Sequence, residues 1–377
     1  MFSVPKPQTT SESESASLVS RIRGLVLGLA LGDAVGSKAS DVPSSGVLEA
    51  GAATQLAAWT IEGTLRNVTR YGRLHAHLPE IGLYAYQRWG VLRGVEPASR
   101  DTWHPFFWPE ESPEHARSRG WLVDEPTMSR VRGTSPSTEK ALATGRAVSS
   151  AGCQAMLRVL PAAPMALIQH DYGGGRPDPN AAGVEAEEWA RNLALLTHDD
   201  GQRQNASVLA TQVLISCLMA TDDLKWAIKR ATYDLDFPVN ADIHGALSQG
   251  IQAPCVPQTL ERLAPHKTSW SALAGGLYVA ISFPDEDTIS EAIEFAGWAP
   301  DGDSVAAVAG AILGARHGYE ALPLNWVSRL ELVWVMDRLA IDLAAEVREH
   351  QGGTAWKDDY GELRAIDPWW DTKYPGV

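Results

Sequence analysis

Residues 21–36 read Arg21-Ile22-Arg23-Gly24-Leu25-Val26-Leu27-Gly28-Leu29-Ala30-Leu31-Gly32-Asp33-Ala34-Val35-Gly36, with a glycine every four residues inside an otherwise apolar run. Positions four apart lie on one face of an α-helix, so Gly24, Gly28, Gly32 and Gly36 form a stripe without side chains. Each glycine weakens a helix by roughly 1 kcal/mol relative to alanine, and the stripe is therefore read as serving the close approach of a neighbouring backbone. A second small-residue stripe, Ala307, Gly310 and Gly314, follows the turn Asp301-Gly302-Asp303-Ser304. The two helices are expected to pack on each other beside one site. The apolar run Gly24 to Val35 carries Asp33 and is far shorter than the roughly 20 residues of a membrane-spanning helix, so it is read as a core helix. A carboxylate in such a helix needs a partner, and the terminus of a neighbouring helix would supply one.

Working outward, helical periodicity covers Gln55 to Arg70, Glu139 to Ser149, Val184 to Thr197, Ala206 to Thr221, Leu224 to Tyr233, Trp270 to Ser282, Ile289 to Ala296 and Ser328 to Arg348. Alternating β-branched runs are almost absent. The expected fold class is all-α, an orthogonal multi-helix bundle. Residues 1–16 are polar and aperiodic and read as a disordered tail, and 17–377 read as a single domain. The chain has 377 residues, 45% of them hydrophobic, with a formal net charge of -14. That charge argues against a protein that neutralises many phosphates of a nucleic acid, while leaving room for a single nucleotide. No membrane segment is expected. Cys153, Cys217 and Cys255 lack metal-type spacing and fit a reducing, cytoplasmic compartment.

The Asp-Gly-Asp-Ser turn offers two carboxylates and a hydroxyl at the start of a small-residue helix. Magnesium takes oxygen ligands in near-octahedral geometry, and such a turn supplies up to three of them. The bland reading of the same residues is a helix N-cap with first-turn acids.

The order of the glycine helix, Thr54-Gln55-Leu56-Ala57, Leu157-Arg158-Val159-Leu160-Pro161, Leu196-Thr197-His198 and Asp301-Gly302-Asp303-Ser304 resembles the ADP-ribosylglycohydrolase family, from about residue 18 to the closing Tyr374-Pro375-Gly376. The resemblance implies an all-α bundle with two magnesium ions in a cleft, where water attacks the anomeric carbon of ADP-ribose. Metal ligands are implied from a Thr-Asp-Asp-Thr motif and an Asp-x-Asp-Thr/Ser motif. The second falls on Asp301, Asp303 and Ser304. The first falls on Gly51, Ala52, Ala53 and Thr54, where both carboxylates are replaced by methyl groups. Further departures are Ser40 in place of a glutamate, Gly152-Cys153-Gln154 in place of Gly-Asn-Gly, and Ala299-Pro300 in place of a glycine pair.

Two divalent ions a few ångströms apart repel strongly, and two aspartates and a serine supply only two negative charges to offset that. The cofactor expectation is at most one weakly held Mg2+ on Asp301, Asp303, Ser304 and a residual Thr54. Asp33, His198, Gly152 and Arg158 are the ligand-binding candidates, and no catalytic residue is assigned. The functional expectation is a family member with a degenerate centre, inactive or weakly active, binding ADP-ribose or a related nucleotide. The alternatives are an active magnesium-dependent hydrolase and an interaction protein that engages a protein partner without a nucleotide.

Other features carry less. Asp222-Asp223 reads as an N-cap for the helix from Leu224. Gly173-Gly174-Gly175-Arg176 follows no strand and opens no helix, so it reads as a loop. His75 and His77 read as surface residues, and the aromatic segment from Trp89 to Trp121, with Phe106 and Phe107, as packing. No Gly-x-Ser-x-Gly nucleophile elbow is present.

Overall fold

Two glycine-striped helices whose central turns are apolar on every face need neighbours all round, and these two occupy the middle of the molecule. The structure, a computed structural model, describes residues 10–36, 42–71, 78–99, 102–103, 120–168, 179–199, 201–219, 223–233, 241–349, 354–357, 363–365 and 368–375. Helix α1 spans Thr10–Val35 and α2 Ala52–Tyr71, followed by α3 (Leu78–Leu92), α4 (Pro136–Thr144) and α5 (Gln154–Val159), which continues as a 3-10 helix over Leu160–Leu167. Then come α6 (Pro179–Leu195), α7 (Gly201–Met219), α8 (Leu224–Tyr233), α9 (Ala241–Gln252), α10 (Pro257–Leu263), α11 (Ser269–Ser282), α12 (Ile289–Ala296) and α13 (Gly302–His317). The short α14 (Leu324–Val327), α15 (Val333–Glu349) and α16 (Pro368–Lys373) complete the helices. The fold is all-α, with one small antiparallel ribbon of β1 (Thr354–Lys357) and β2 (Leu363–Ala365), which helical periodicity did not anticipate.

Helix α1 begins at Thr10, inside the stretch expected to be a tail. Once the apolar turns beyond Leu18 have nucleated a helix, adding Ser and Glu residues at its start costs little. Residues 1–9 lie outside the described residues.

The glycine stripes meet as expected. A side-chain carbon at Gly24 would lie 2.1 Å from the Gly314 carbonyl oxygen, one at Gly28 2.1 Å from that of Gly310, and one at Gly32 2.1 Å from that of Ala306. The numbers ascend on α1 as they descend on α13, so the helices run antiparallel. Their backbones touch over three turns, closer than the 8–10 Å spacing of helices separated by side chains. Leu25, Leu27, Leu29 and Leu31 on the other faces of α1 are fully buried, as are Val305, Ala309, Leu313 and Ala315 on α13. α11 packs against α13, and α15 against α1. The end of α1 that carries Asp33 is thereby set beside the start of α13 that carries Asp301 and Asp303.

Buried charge fixes α2 and the C-terminus to this centre. Glu62 accepts hydrogen bonds from Arg66 and, at 2.6 Å, from Arg88. Arg66 Nη1 also donates to the Pro375 carbonyl at 3.1 Å. Lys373 and the Tyr374 hydroxyl both donate to Asp342 on α15. These pairs are shielded from water, so removing one partner leaves an uncompensated charge.

Substituting Gly28→Ala forces a methyl group into the Gly310 carbonyl. Backbone cannot move aside as a flexible side chain does, and the expected loss is about 3 kcal/mol, at the upper end of ordinary overpacking costs. Urea denaturation measures it, and a loss below about 1 kcal/mol would show that the seam is looser than described.

Candidate functional site

Where α1 ends and α13 begins, a cavity of about 510 Å³ opens between the two helix ends, the start of α2, residues 132–137, residues 152–154, His198 and Lys267. Asp33 sits at its floor. One carboxylate oxygen accepts hydrogen bonds from the Gly51 amide at 2.8 Å, the Thr54 amide at 3.0 Å and the Thr54 hydroxyl. It therefore satisfies the free amides at the start of α2, as expected of a carboxylate meeting a helix terminus. Burial pushes the Asp33 pKa up to about 6, with the Thr54 and Gly51 donors pulling it down and the nearby Asp303 charge pushing it up. Asp33 and Asp303 both line the cavity.

Thr54 is fully buried inside the first turn of α2, and its hydroxyl proton goes to Asp33. Ala52 lines the cavity, whereas Ala53 is fully buried in the core and does not reach it. The two alanines are thus not equivalent. An acid at 52 would enter the cavity, and one at 53 would enter hydrocarbon.

Asp301 is the residue before α13, yet its side chain makes no capping bond to the helix. It points instead to the Cys153 thiol, which donates to Oδ2 at 3.4 Å, and to Lys267 Nζ, 3.6 Å from Oδ1. Cys153 Sγ also lies 3.1 Å from Ser304 Oγ. Burial, then the Asp301 charge, pushes the Cys153 thiol far up, so it stays protonated. The Asp303 pKa is also raised, by burial first and by Asp301 second, and Asp303 Oδ1 accepts from the Ser304 amide at 2.9 Å. The Asp-Gly-Asp-Ser turn thus comes together as a cluster facing the cavity rather than as a helix cap.

His198 is buried at the cavity wall, with Nδ1 2.8 Å from the Thr197 hydroxyl. A short parallel bridge between Val148 and His198 fixes its backbone. Burial lowers its pKa to about 3, helped by the Arg158 charge, so the ring is neutral at ordinary pH. A side-chain carbon at Gly152 would approach within 3.5 Å of His198 Nε2, and glycine there leaves room in front of the ring.

Arg158 requires a correction. It is fully buried and absent from the described cavity wall, because its guanidinium is engaged elsewhere. Nη2 donates to the Leu193 carbonyl at 2.8 Å, Nη1 to the Thr138 hydroxyl at 3.2 Å, and the guanidinium carbon lies 4.3 Å from the Tyr86 ring centroid. It holds α4, α5 and α6 together behind the cavity. Asp222, Ser40, His75, His77, Phe106, Phe107 and the segment Gly173 to Arg176 lie outside the described residues.

The facing wall was not legible in the sequence. Arg132 lines the cavity and pairs with Glu49 at 2.9 Å and with Glu331 at 3.1 Å. Thr134, Ser135 and Ser137 continue that wall at the start of α4, and the Ser137 hydroxyl donates to Ser150 at 2.8 Å. Gln154, also on the wall, has a buried Oε1 without a hydrogen-bond partner.

The donor set does not fit a pair of magnesium ions. Ala52 and Ala53 offer no oxygen, the Thr54 proton is committed to Asp33, and Asp301 already faces an ammonium and a thiol proton. Among the described residues no group of three or more His, Cys, Asp or Glu side chains is arranged to hold a metal ion.

The neutral, buried His198 gives a testable pH dependence. In the unfolded chain histidine takes up a proton near pH 6.5, whereas in the fold it does so only near pH 3. Protons therefore favour the unfolded state between those values, and stability is lost as pH falls below 6.5. Between pH 6.5 and 5 this amounts to about 2 kcal/mol. Denaturation of the natural protein and His198→Asn over that interval measures the difference in slope, and equal slopes would show that the ring is solvated.

Comparison with known proteins agrees with this architecture. The ADP-ribosylglycohydrolase family model matches residues 14–353. No curated protein matches the chain in sequence. A solved structure described as an ADP-ribosylglycohydrolase-related protein complex superposes with a TM-score of 0.57 at 19% identity, covering 87% of this chain and 98% of that one. At that identity the likeness speaks for the fold, and the family match, spanning nearly the whole sequence, carries the assignment. The glycine helix, the Asp-Gly-Asp-Ser turn and the cavity between them thus have a common origin: the chain belongs to the ADP-ribosylglycohydrolase family.

Proposed function

We propose that this protein binds ADP-ribose or a closely related nucleotide in the cleft between α1 and α13, with little or no hydrolysis. One observation carries the reading. The wall on which two carboxylates would be needed presents the Ala52 methyl group, and Ala53 is turned into the core. Without those charges, the mutual repulsion of two divalent ions is not offset, and a bridging water is not acidified.

Retention of a ligand is supported by the cavity itself. A volume of about 510 Å³ lies within the range of small-molecule and cofactor sites. The Thr134 hydroxyl, the Arg132 guanidinium and the neutral His198 ring offer hydrogen-bonding groups suited to a ribose and a diphosphate, and Ser135 and Ser137, whose protons go to Thr138 and Ser150, keep hydroxyl oxygens that can accept. The unpaired Gln154 Oε1 leaves an acceptor for a ligand donor or a water. Any metal retained is a single weak Mg2+ near Asp301 and Asp303. The setting proposed is cytoplasmic. Among the described residues no helix is long and apolar enough to cross a membrane, and all three cysteines are free.

Calorimetric titration with ADP-ribose, in magnesium and in chelator, tests the proposal. Binding is expected in both, with affinities within about threefold of each other, and turnover of ADP-ribosylated substrates is expected below the usual enzymatic range of about 1 to 1000 per second. Magnesium-dependent turnover within that range would overturn the reading in favour of an active hydrolase, and absence of nucleotide binding would favour an interaction protein. Substituting Ala52→Asp is expected to preserve the fold and tighten magnesium binding. Ala53→Asp, which buries a carboxylate among apolar side chains, is expected to cost more than about 3 kcal/mol of stability in thermal or urea unfolding.

A further inference from the structure

Asp301 is a buried carboxylate, with 6% of its side chain exposed, that is spent neither on capping α13 nor on a guanidinium. Its partners come from two distant segments that a backbone bridge joins. The Ser269 amide donates to the Ala151 carbonyl at 3.0 Å, and the Ser269 hydroxyl to the Gly152 carbonyl at 3.2 Å. Gly152 and Thr268 thereby pair as an antiparallel bridge. Thr268 in turn caps α11, its side chain accepting from the Ser271 amide at 3.4 Å. Residues 153 and 267 are the next positions outward from that bridge, and both turn toward Asp301. Cys153 closes it from one side with a thiol proton, and Lys267 from the other with an ammonium group.

We infer that Lys267 is the resident cation of this cleft: its ammonium, brought to Asp301 by the bridge between Gly152 and Thr268, takes the place of an inorganic ion. This rests on the proposed reading of the cleft as a nucleotide site without a dinuclear centre. A divalent ion on Asp301 Oδ1 would lie within a few ångströms of Nζ, where like charges repel at a range too short for salt to screen. The ion would also have to displace the hydrogen bond from the Cys153 thiol to Oδ2, 3.4 Å long. Lys267 itself is 77% exposed at the side chain, so it adds little to stability, and its removal leaves the fold intact. An ammonium carries three N–H donors, and Lys267 lines the cavity, so those not spent on Asp301 are available to an anionic ligand there. The cleft thus keeps a positive charge for a phosphate while its metal affinity is suppressed.

Titration of Mn2+ followed by electron paramagnetic resonance tests this directly on the natural protein, Lys267→Ala and Lys267→Arg, with thermal unfolding confirming the fold of each. Lys267→Ala is expected to bind Mn2+ at least about tenfold more tightly than the natural protein, and Lys267→Arg to bind no more tightly than the natural protein. Adding Asp301→Asn to Lys267→Ala is expected to abolish the gain, which places it at this carboxylate. Equal Mn2+ affinity in the natural protein and Lys267→Ala, with both weak, would overturn the inference and leave the functional proposal standing. Two ions bound tightly by the natural protein would overturn the functional proposal itself.

Discussion

Backbone contact between α1 and α13 is the constraint from which the rest of this structure follows. At Gly24, Gly28 and Gly32 the two helices approach so closely that no side-chain carbon fits between them. Such a seam fixes both the separation and the axial register, because each carbonyl on one helix lies against a glycine on the other. Register in turn sets which residues stand together at the ends. Asp33 and Gly36 leave α1 where Asp301, Gly302 and Asp303 enter α13, and the cavity lies over that junction. The helix ends supply carboxylates in close quarters, and the surrounding loops determine what those carboxylates do.

Each of these three aspartates finds a hydrogen-bond or ion-pair partner within the protein. Asp33 turns toward the amides at the start of α2, Asp301 toward a lysine and a thiol, and Asp303 toward the Ser304 amide. Four carboxylates, of Asp33, Glu49, Asp301 and Asp303, line the described wall with two cationic side chains, Arg132 and Lys267. On the proposed reading, these side chains supply part of the compensation that inorganic cations would otherwise give. Cys153 fits the same pattern, since a protonated thiol donates a hydrogen bond without adding charge.

Much of the fold was legible because it depends on local sequence. The glycine spacing named the central helix pair, and the helices over Leu224–Tyr233 and Ile289–Ala296 begin and end where periodicity places them. Where boundaries differ, local capping chemistry explains it: α4 starts at Pro136 because the proline suits a first helical turn, and is capped by Gly145 in the left-handed conformation. Leu78–Leu92, Ala241–Gln252 and the Leu160–Leu167 3-10 helix were not anticipated, the last because Pro161 and Pro164 interrupt α-helical periodicity. The site divides in the same way. Asp33, Asp301, Asp303 and Ser304 were found through motifs and their spacing, and Gly152 and His198 also reach the cavity. Arg158 sits beside these elements in sequence but faces away from the cavity, a direction that only tertiary packing determines. Lys267 and Arg132 carried no sequence signal, since what brings them to the cleft is a backbone bridge to Gly152 in one case and ion pairs with Glu49 and Glu331 in the other.

The chain has its family's fold, and we propose that its cleft does without the paired metal centre. Anomalous diffraction from crystals equilibrated in millimolar Mn2+, collected at the manganese edge, examines that claim most directly. No pair of ions is expected, and at most one partly occupied peak beside Asp301 and Asp303. Two fully occupied peaks a few ångströms apart, bridging Asp33 and Asp303, would contradict it.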